Sequence, residues 1–383
     1  MPHHNTAFHQ LLKPVSRHEF ERLAARHHVG QKLRSARRWD QFVAMGLGQM
    51  SDRQSLRDIE ANLEAQSDKL YHLGAKVIAK TTLARLNEQQ PAALYQAVFY
   101  QLLSRHSQSP GKHKFRFKNP LYSLDASAID LSSPVFPWAR HREDTANVKL
   151  SIGLNHATDI PEYVAVGDGH ENDMVQGRRF KFPKGSIVAF DKGYIDYEWF
   201  GNLTKQGVFF VTRLRAGTVY KVRERREVIA HSGVRSDQVI ELTSAHAKKR
   251  SAPLLRRVGY QDRDSGKFYE FLTNNVELSA RTIAAIYKDR WQVELFFKAI
   301  KSCLKINKFV GHSRNAVLTQ LWIALIMYLL MAIARHSAQQ GWTVARMMKV
   351  LQLNIFSRKT LKQLLRPDKS RHKKSDPQMR IAL

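Results

Sequence analysis

The stretch YKDRWQVELFFKAIK, residues 287–301, sets an acid and several bases among large apolar side chains. Projected at about 100° per residue, Tyr287, Arg290, Glu294, Lys298 and Lys301 share a stripe roughly 80° wide, so one helix face aims an acid and three cations at one place. Two structures fit that stripe. One is a solvated face laced by the pairs Arg290/Glu294 and Glu294/Lys298, each worth about 0.2–0.5 kcal/mol. The other is the wall of a cleft, favoured by Trp291, Val293, Leu295, Phe296, Phe297 and Ile300, whose apolar surface calls for burial of the remaining faces. Trp291 in particular reads as core, with stacking on a displaced base as the alternative.

Two further acids stand in suggestive places. Asp191 follows the apolar run IVAF, and functional groups in open α/β sheets collect just beyond the carboxyl ends of strands. Asp125 falls inside a predicted strand, where a carboxylate is costly to bury unless a cation or metal accompanies it. Three isolated carboxylates on one basic chain can hold two Mg²⁺ ions, because hard cations prefer oxygen ligands and keep positions open for phosphate and water. Such a pair supports in-line displacement at a phosphodiester.

The charge balance agrees with a polyanionic partner. Among 383 residues, 62 Lys and Arg face 33 Asp and Glu, a net +29, which points to nucleic acid before a membrane surface. The single cysteine, Cys303, excludes an internal disulfide framework and a zinc site built on several thiolates, and fits a reducing cytosol. The first residues, MPHHNTAFHQLLKP, lack the apolar core of a signal peptide, so export is not expected. The apolar run at 321–334 is short for a bilayer and reads as a core helix. GHENDM (169–174) reads as a turn with solvated acids.

These side chains need elements to carry them. Residues 1–110 are helical in pattern: Ser51 opens SDRQSLRDIEANLEAQ, Gly74 stops it, and Thr81 or Thr82 opens the next helix. Joined this way, the two are either a helix-turn-helix unit or an ordinary packed pair. SQSPGKHKFRFKNP (107–120) reads as a basic linker. Then alternation takes over, with strands expected at 121–132, 147–156, 161–169, 185–194 and 208–215, and a helix at DYEWFGNLTKQG; this is a mixed α/β sheet. Residues 216–275 are β-leaning and basic, with a hairpin turning at Asp264, Ser265 and Gly266. Helices resume near 279, and a basic tail follows.

Here a resemblance becomes specific. The 287–301 stretch matches the Tyr-x2-Arg-x3-Glu-x6-Lys pattern of the insertion-sequence 4 family of bacterial transposases, at Tyr287, Arg290, Glu294 and Lys301. DKGY (191–194) resembles that family's second-aspartate motif, and SLDASAIDL (123–131) its first-aspartate strand. SPVFPWARHREDTANVKLSIGLN and SRNAVLTQLWIALIMYLL are similar to the stretch between the aspartates and to the downstream helix. One departure is that Ala126 and Ala128 stand where hydroxyl-bearing residues are expected, which bears on the level of activity and leaves the acids intact.

The resemblance implies an α/β fold with an RNase H-like mixed sheet as catalytic core, interrupted by a β-rich insertion and preceded by a helical domain. The segments would be 1–110 (helical, DNA-binding), 118–215 (first part of the core), 216–278 (insertion), 279–345 (catalytic helix and following helices) and 346–383 (basic tail). Asp125, Asp191 and Glu294 would bind two Mg²⁺ ions, with Mn²⁺ as a substitute. Arg290, Lys298 and Lys301 would hold phosphates, Tyr287 would touch a terminal nucleotide or pack on the sheet, and Trp291 completes the DNA-facing set. The partners implied are double-stranded DNA, as inverted-repeat ends and as target, and a second copy of the chain, in a bacterial cytoplasm at the nucleoid and with no membrane. A nuclease without strand transfer and a DNA-binding regulator that no longer binds metal are the competing readings.

Overall fold

The computed structural model describes residues 5–365 except 52, 107–112, 143–144, 170, 251, 264, 305, 307 and 337–341. Seven helices come first: α1 (Ala7–Leu12), α2 (Arg17–Arg26), α3 (Arg38–Met50), α4 (Leu56–Ala65), α5 (Ser67–Leu70), α6 (Lys80–Gln89) and α7 (Ala93–His106). Ser51, expected to open a helix, instead ends α3 and returns its hydroxyl to the Leu47 carbonyl at 2.6 Å. The cap of α4 is Ser55, which exchanges hydrogen bonds with Asp58. Gly74 does stop the chain, at φ +62°, and α6 starts after Ala79 rather than at a threonine.

Alternating residues then build the sheet: β1 (Leu121–Leu131), β2 (Arg140–Arg142), β3 (Thr145–Asn155), β4 (Ile160–Asp168), the helix α8 (Asp173–Arg179), β5 (Ile187–Phe190), the helix α9 (Tyr197–Lys205) and β6 (Phe209–Arg213). β1 runs antiparallel to β3, and β3 antiparallel to β4, while β1, β5 and β6 are parallel neighbours. This is the RNase H-like mixed sheet. The basic segment that follows, β7 (Tyr220–Arg225), β8 (Val234–Leu242), α10 (Ala245–Lys249), β9 (Leu255–Gln261) and β10 (Phe268–Thr273), extends the same sheet, because β10 pairs with β6. Its β9–β10 turn holds Gly266 at φ +65°; Asp264 lies outside the described residues.

Strand period 2 sorts side chains onto two faces. Leu124, Val188, Phe190 and Phe210 pack with Trp199, Phe200 and Leu203 of α9. Leu121, Ile187, Ala189 and Val211 face the other way, toward Ile283, Ala284 and Ile286 of α11 (Ala280–Asp289). After α11 come α12 (Trp291–Cys303), α13 (Arg314–His336), α14 (Val344–Asn354) and α15 (Leu361–Leu364); α15 and all but the first two residues of α14 fall in the stretch that reads as tail. The rest of that tail, 366–383, and the linker residues 107–112 lie outside the described residues.

α13 is longer than its central apolar run suggests. Its 22 residues Arg314–Arg335 are long and apolar enough to cross a membrane by length and composition, yet 89% of the window is buried inside the fold. Phe42, Met45, Leu94 and Phe99 of the N-terminal helices share one core with Leu325, Ile326 and Leu329 of α13. Burial of such side chains is worth about 1.5–3 kcal/mol each, so α13 is already occupied as a core helix.

Candidate active site

Sheet register sets the first two acids. In the parallel β1–β5 pair Leu124 lies opposite Phe190, and each is followed by an aspartate: Asp125 within β1 and Asp191 just past β5. Neighbouring strands lie about 4.8 Å apart, and both aspartates have the parity of the face that packs on α11 and α12. Asp191 also caps a short 3₁₀ turn, its Oδ1 accepting from the Gly193 N–H at 2.5 Å. The Asp125 Oδ1 accepts from the Ala126 N–H at 2.9 Å.

The third acid arrives on a helix that is not continuous. The stretch 287–301, read as one helix, breaks at Arg290: α11 ends at Asp289 and α12 begins at Trp291. Tyr287 is therefore on a different helix from Glu294, packed against Phe271 of the sheet with ring centroids 5.1 Å apart. The break aims Arg290 inward. Its guanidinium donates to Glu294 Oε1 at 2.6 Å and to Asp125 Oδ2 at 3.4 Å, and lies 5.6 Å from the centre of the Tyr287 ring.

The electrostatics follow from that assembly. Burial pushes the Asp125 carboxyl up to about 6; Arg290 and the Ala126 N–H oppose the rise, and the charges of Glu294 and Asp191 add to it. One arginine thus offsets part of the charge of three acids. Buried carboxylates left with a charge deficit of this kind favour a bound cation.

Of the remaining sequence candidates, Lys301 donates to the Ala128 carbonyl at 2.9 Å, on β1 beyond Asp125, and Lys298 is exposed. Ala126 and Ala128 thus contribute through their main chain, whatever their side chains. Trp291, expected in the core, is 58% exposed, with Leu295 beside it at 43%; both project next to the polar stripe of α12. GHENDM is not simply a solvated turn. Asp173 opens α8 and pairs with Lys149 at 2.8 Å, while Glu171 is held by Arg179 and Gln176; His170 lies outside the described residues.

Two groups escaped the sequence reading. Tyr194, inside the DKGY motif, is 1% exposed, and its hydroxyl has no hydrogen-bond partner among the described residues. Burial first, and then the charges of Asp173, Asp125 and Asp191, push its phenol up, and its ring packs 6.0 Å from that of Phe190 in the core beneath α9. The other is a chain of Ser123, His156 and Asp289, from positions too far apart to give any local signal.

An all-oxygen donor set of three carboxylates suits a hard divalent cation such as Mg²⁺. Among the described residues, however, no group of three or more His, Cys, Asp or Glu side chains closes to metal-chelating distance. Arg290 gives the reason, since its guanidinium stands between Asp125 and Glu294. The chemistry of the donors fits a hydrated cation; the closed ligand geometry is not present among the described residues.

Residues 116–330 match the family described as Transposase DDE domain, and residues 3–76 match a domain of unknown function. The chain is 32% identical over 292 residues to a protein of Sinorhizobium fredii described as transposase y4zB, a match covering 74% of this chain and 80% of the relative. It is 22% identical over 320 residues to a Synechocystis protein described as the transposase for insertion sequence element IS4SA, covering 81% and 86%. Among solved structures, a piggyBac transposase synaptic complex with hairpin DNA aligns over 95% of this chain and 81% of that one, with a TM-score of 0.43 and 11% identity.

Proposed function

Because the chain belongs to the transposase DDE-domain family and is a DNA transposase of the insertion-sequence 4 type, we propose that Asp125, Asp191 and Glu294 hold divalent cations at the scissile phosphodiester of an element end. The geometry that supports this reading is the β1–β5 register, which follows Leu124 with Asp125 and Phe190 with Asp191, together with the Arg290 fork, which reaches Asp125 at 3.4 Å and Glu294 at 2.6 Å. Two Mg²⁺ ions, or Mn²⁺ in their place, would activate the attacking oxygen and stabilise the leaving one.

The chain's own residues do the positioning. Asp125 and Asp191 are anchored on neighbouring strands, so their spacing is set by backbone hydrogen bonds rather than by flexible loops. Arg290 exchanges carboxylate for phosphate with the same planar fork, and Lys301 and Lys298 supply point charges along α12. The exposed Trp291 offers a face for an unstacked base. Tyr287 backs Arg290 from the sheet side. Two copies of the chain would pair two ends of the DNA in the bacterial cytoplasm, at the nucleoid, and the freed 3′-hydroxyl would attack target DNA.

The test is to incubate the purified protein with Mg²⁺ and DNA carrying the inverted repeats that flank its gene. Joined products are expected. Nicks without joining would reduce it to a nuclease, and a gel shift without cleavage would make it a DNA-binding regulator. Asp125→Ala, Asp191→Ala and Glu294→Ala should each abolish cleavage and spare end binding; turnover in any one removes that residue from the metal set.

A further inference from the structure

Behind the acidic centre lies a buried hydrogen-bonded chain that none of this chemistry uses. His156 Nε2 meets Ser123 Oγ at 2.6 Å, His156 Nδ1 meets Asp289 Oδ2 at 2.9 Å, and Lys114 donates to Asp289 Oδ1 at 2.5 Å. Asp289 accepts from Nδ1–H, and Nε2 shares the second hydrogen bond with the Ser123 hydroxyl. Serine, histidine and aspartate in this order form a nucleophilic triad elsewhere. Here Ser123 is fully buried and the imidazole is 1% exposed, so no substrate carbonyl can reach the hydroxyl.

What the chain does instead follows from where its ends are. Ser123 is two residues before Asp125 on the same face of β1, and Asp289 is the residue before Arg290 at the helix break. His156 follows β3 and is tied to β1 again by its own N–H, which donates to the Leu121 carbonyl at 3.0 Å. A strut therefore runs from two residues before Asp125 to one residue before Arg290. No glycine or proline lies between 280 and 303, so the break is held by side-chain contacts, of which the grip of His156 and Lys114 on Asp289 is on one side and the bonds of Arg290 to Asp125 and Glu294 are on the other.

We propose that His156 is a positioning residue for the transposase: by joining Ser123 to Asp289 it fixes the helix break and places the Arg290 guanidinium between Asp125 and Glu294. This rests on the function proposed above for Arg290, so the test has one arm that needs catalysis and one that does not.

In the first arm, His156→Ala is combined with Arg290→Ala in a double-mutant cycle on cleavage of element ends. His156→Ala should cost at least about tenfold with Arg290 present and less than about twofold without it. His156→Asn, whose amide can donate to Asp289 where Nδ1 does, should recover most of the loss. Equal losses in both backgrounds would overturn the proposal, because general destabilisation acts whether or not Arg290 is there. In the second arm, the DNA-free protein carries 5-fluorotryptophan at its six tryptophans, and Trp291, next to Arg290, is assigned by its loss in Trp291→Phe. Its ¹⁹F resonance should shift in His156→Ala and Asp289→Asn while the others stay. A fixed Trp291 resonance would overturn the proposal even if cleavage were lost. If the unaltered protein cleaves nothing, the functional reading fails, and this resonance still decides the strut. Should His156→Ala not fold, Ser123→Ala and Asp289→Asn, which nearly preserve volume, carry both arms.

Discussion

The Arg290 guanidinium stands 3.4 Å from the Asp125 carboxylate, across 165 positions of sequence, and the same side chain reaches Glu294 at 2.6 Å. A cation supplied by the protein thus occupies ground that a divalent ion would contest. Removing it leaves Asp125 facing two other acids. Arg290→Ala should lower stability to urea by about 1–3 kcal/mol, less than for a fully buried pair because these groups are partly exposed. Millimolar Mg²⁺ should recover more of that loss than it adds to the unaltered protein; equal increments would mean that no ion contests the arginine's place.

Asp125 gives a pH dependence of definite sign. Its folded-state pKa of about 6 lies above the ordinary 3.8, so the folded chain binds the extra proton between those values. Stability from this group is gained as pH falls through that window, and above it the ionised carboxylate costs up to about 3 kcal/mol. Asp125→Asn should therefore raise Tm near about pH 8 in the absence of metal, leave it unchanged near about pH 4, and eliminate cleavage. A lower Tm at the alkaline end would contradict the burial that raises this carboxyl.

Asp289 behaves in the opposite way. Burial pushes it up, but hydrogen bonds and charge from His156 and Lys114 more than offset this and hold it at about 2, below the ordinary 3.8. Its contribution, about 2 kcal/mol, is present above the ordinary value and is lost as pH falls toward the folded one. Asp289→Asn should flatten acid unfolding between about pH 4 and pH 2 and weaken the fold at neutral pH. An unaltered acid limb in urea titrations would show that this carboxylate is not what the histidine and lysine hold.

The two lysines of α12 differ in what they already touch, Lys298 being exposed and Lys301 bonded to the Ala128 carbonyl. If both meet phosphate, each alanine substitution should reduce the slope of log K against log salt for end binding by roughly one. Lys301→Ala should also cost about 0.5–1.5 kcal/mol of stability, through its bond to β1. Slopes that do not move would assign both to the fold alone.

Trp291 is exposed enough that its loss should barely touch the fold. Trp291→Ala should change stability by no more than about 0.5 kcal/mol while weakening the complex with an end containing unpaired bases by about 1–3 kcal/mol. Competition binding with fully paired and frayed ends separates the two. Equal affinity of the variant and the parent for frayed ends would leave Trp291 without a role in DNA contact.

Much of the sheet was legible because its information is local. Alternation in LYSLDASAIDL and NVKLSIGLN marks strands, although Leu121–Leu124 and Leu150–Leu154 are in fact buried on both faces, and IVAF before Asp191 marks a strand buried on both. The helix break was not legible. Residues 280–303 have unbroken helical periodicity, so a continuous helix put Tyr287 on the wrong helix, whereas Trp291, about 20° from Lys298 in projection, was misjudged because its apolar type outweighed its place beside the polar stripe. Helix ends were misjudged for a related reason. Ser51 and Ser55 are equally good caps in isolation, and packing of α3 and α4 decides between them.

By itself, the sequence determined the parts: a basic chain, one aspartate inside a strand and another just past a strand's end, and a glutamate among bases at helical spacing. Those are properties of residue type and of periods of two and 3.6, which short stretches carry alone. Tertiary structure decided that Arg290 bridges Asp125 and Glu294, that Tyr194 is buried, and that Ser123, His156 and Asp289 join. Each of these contacts spans elements distant in the chain, and its geometry is set by strand register and by a helix break that local propensity does not specify.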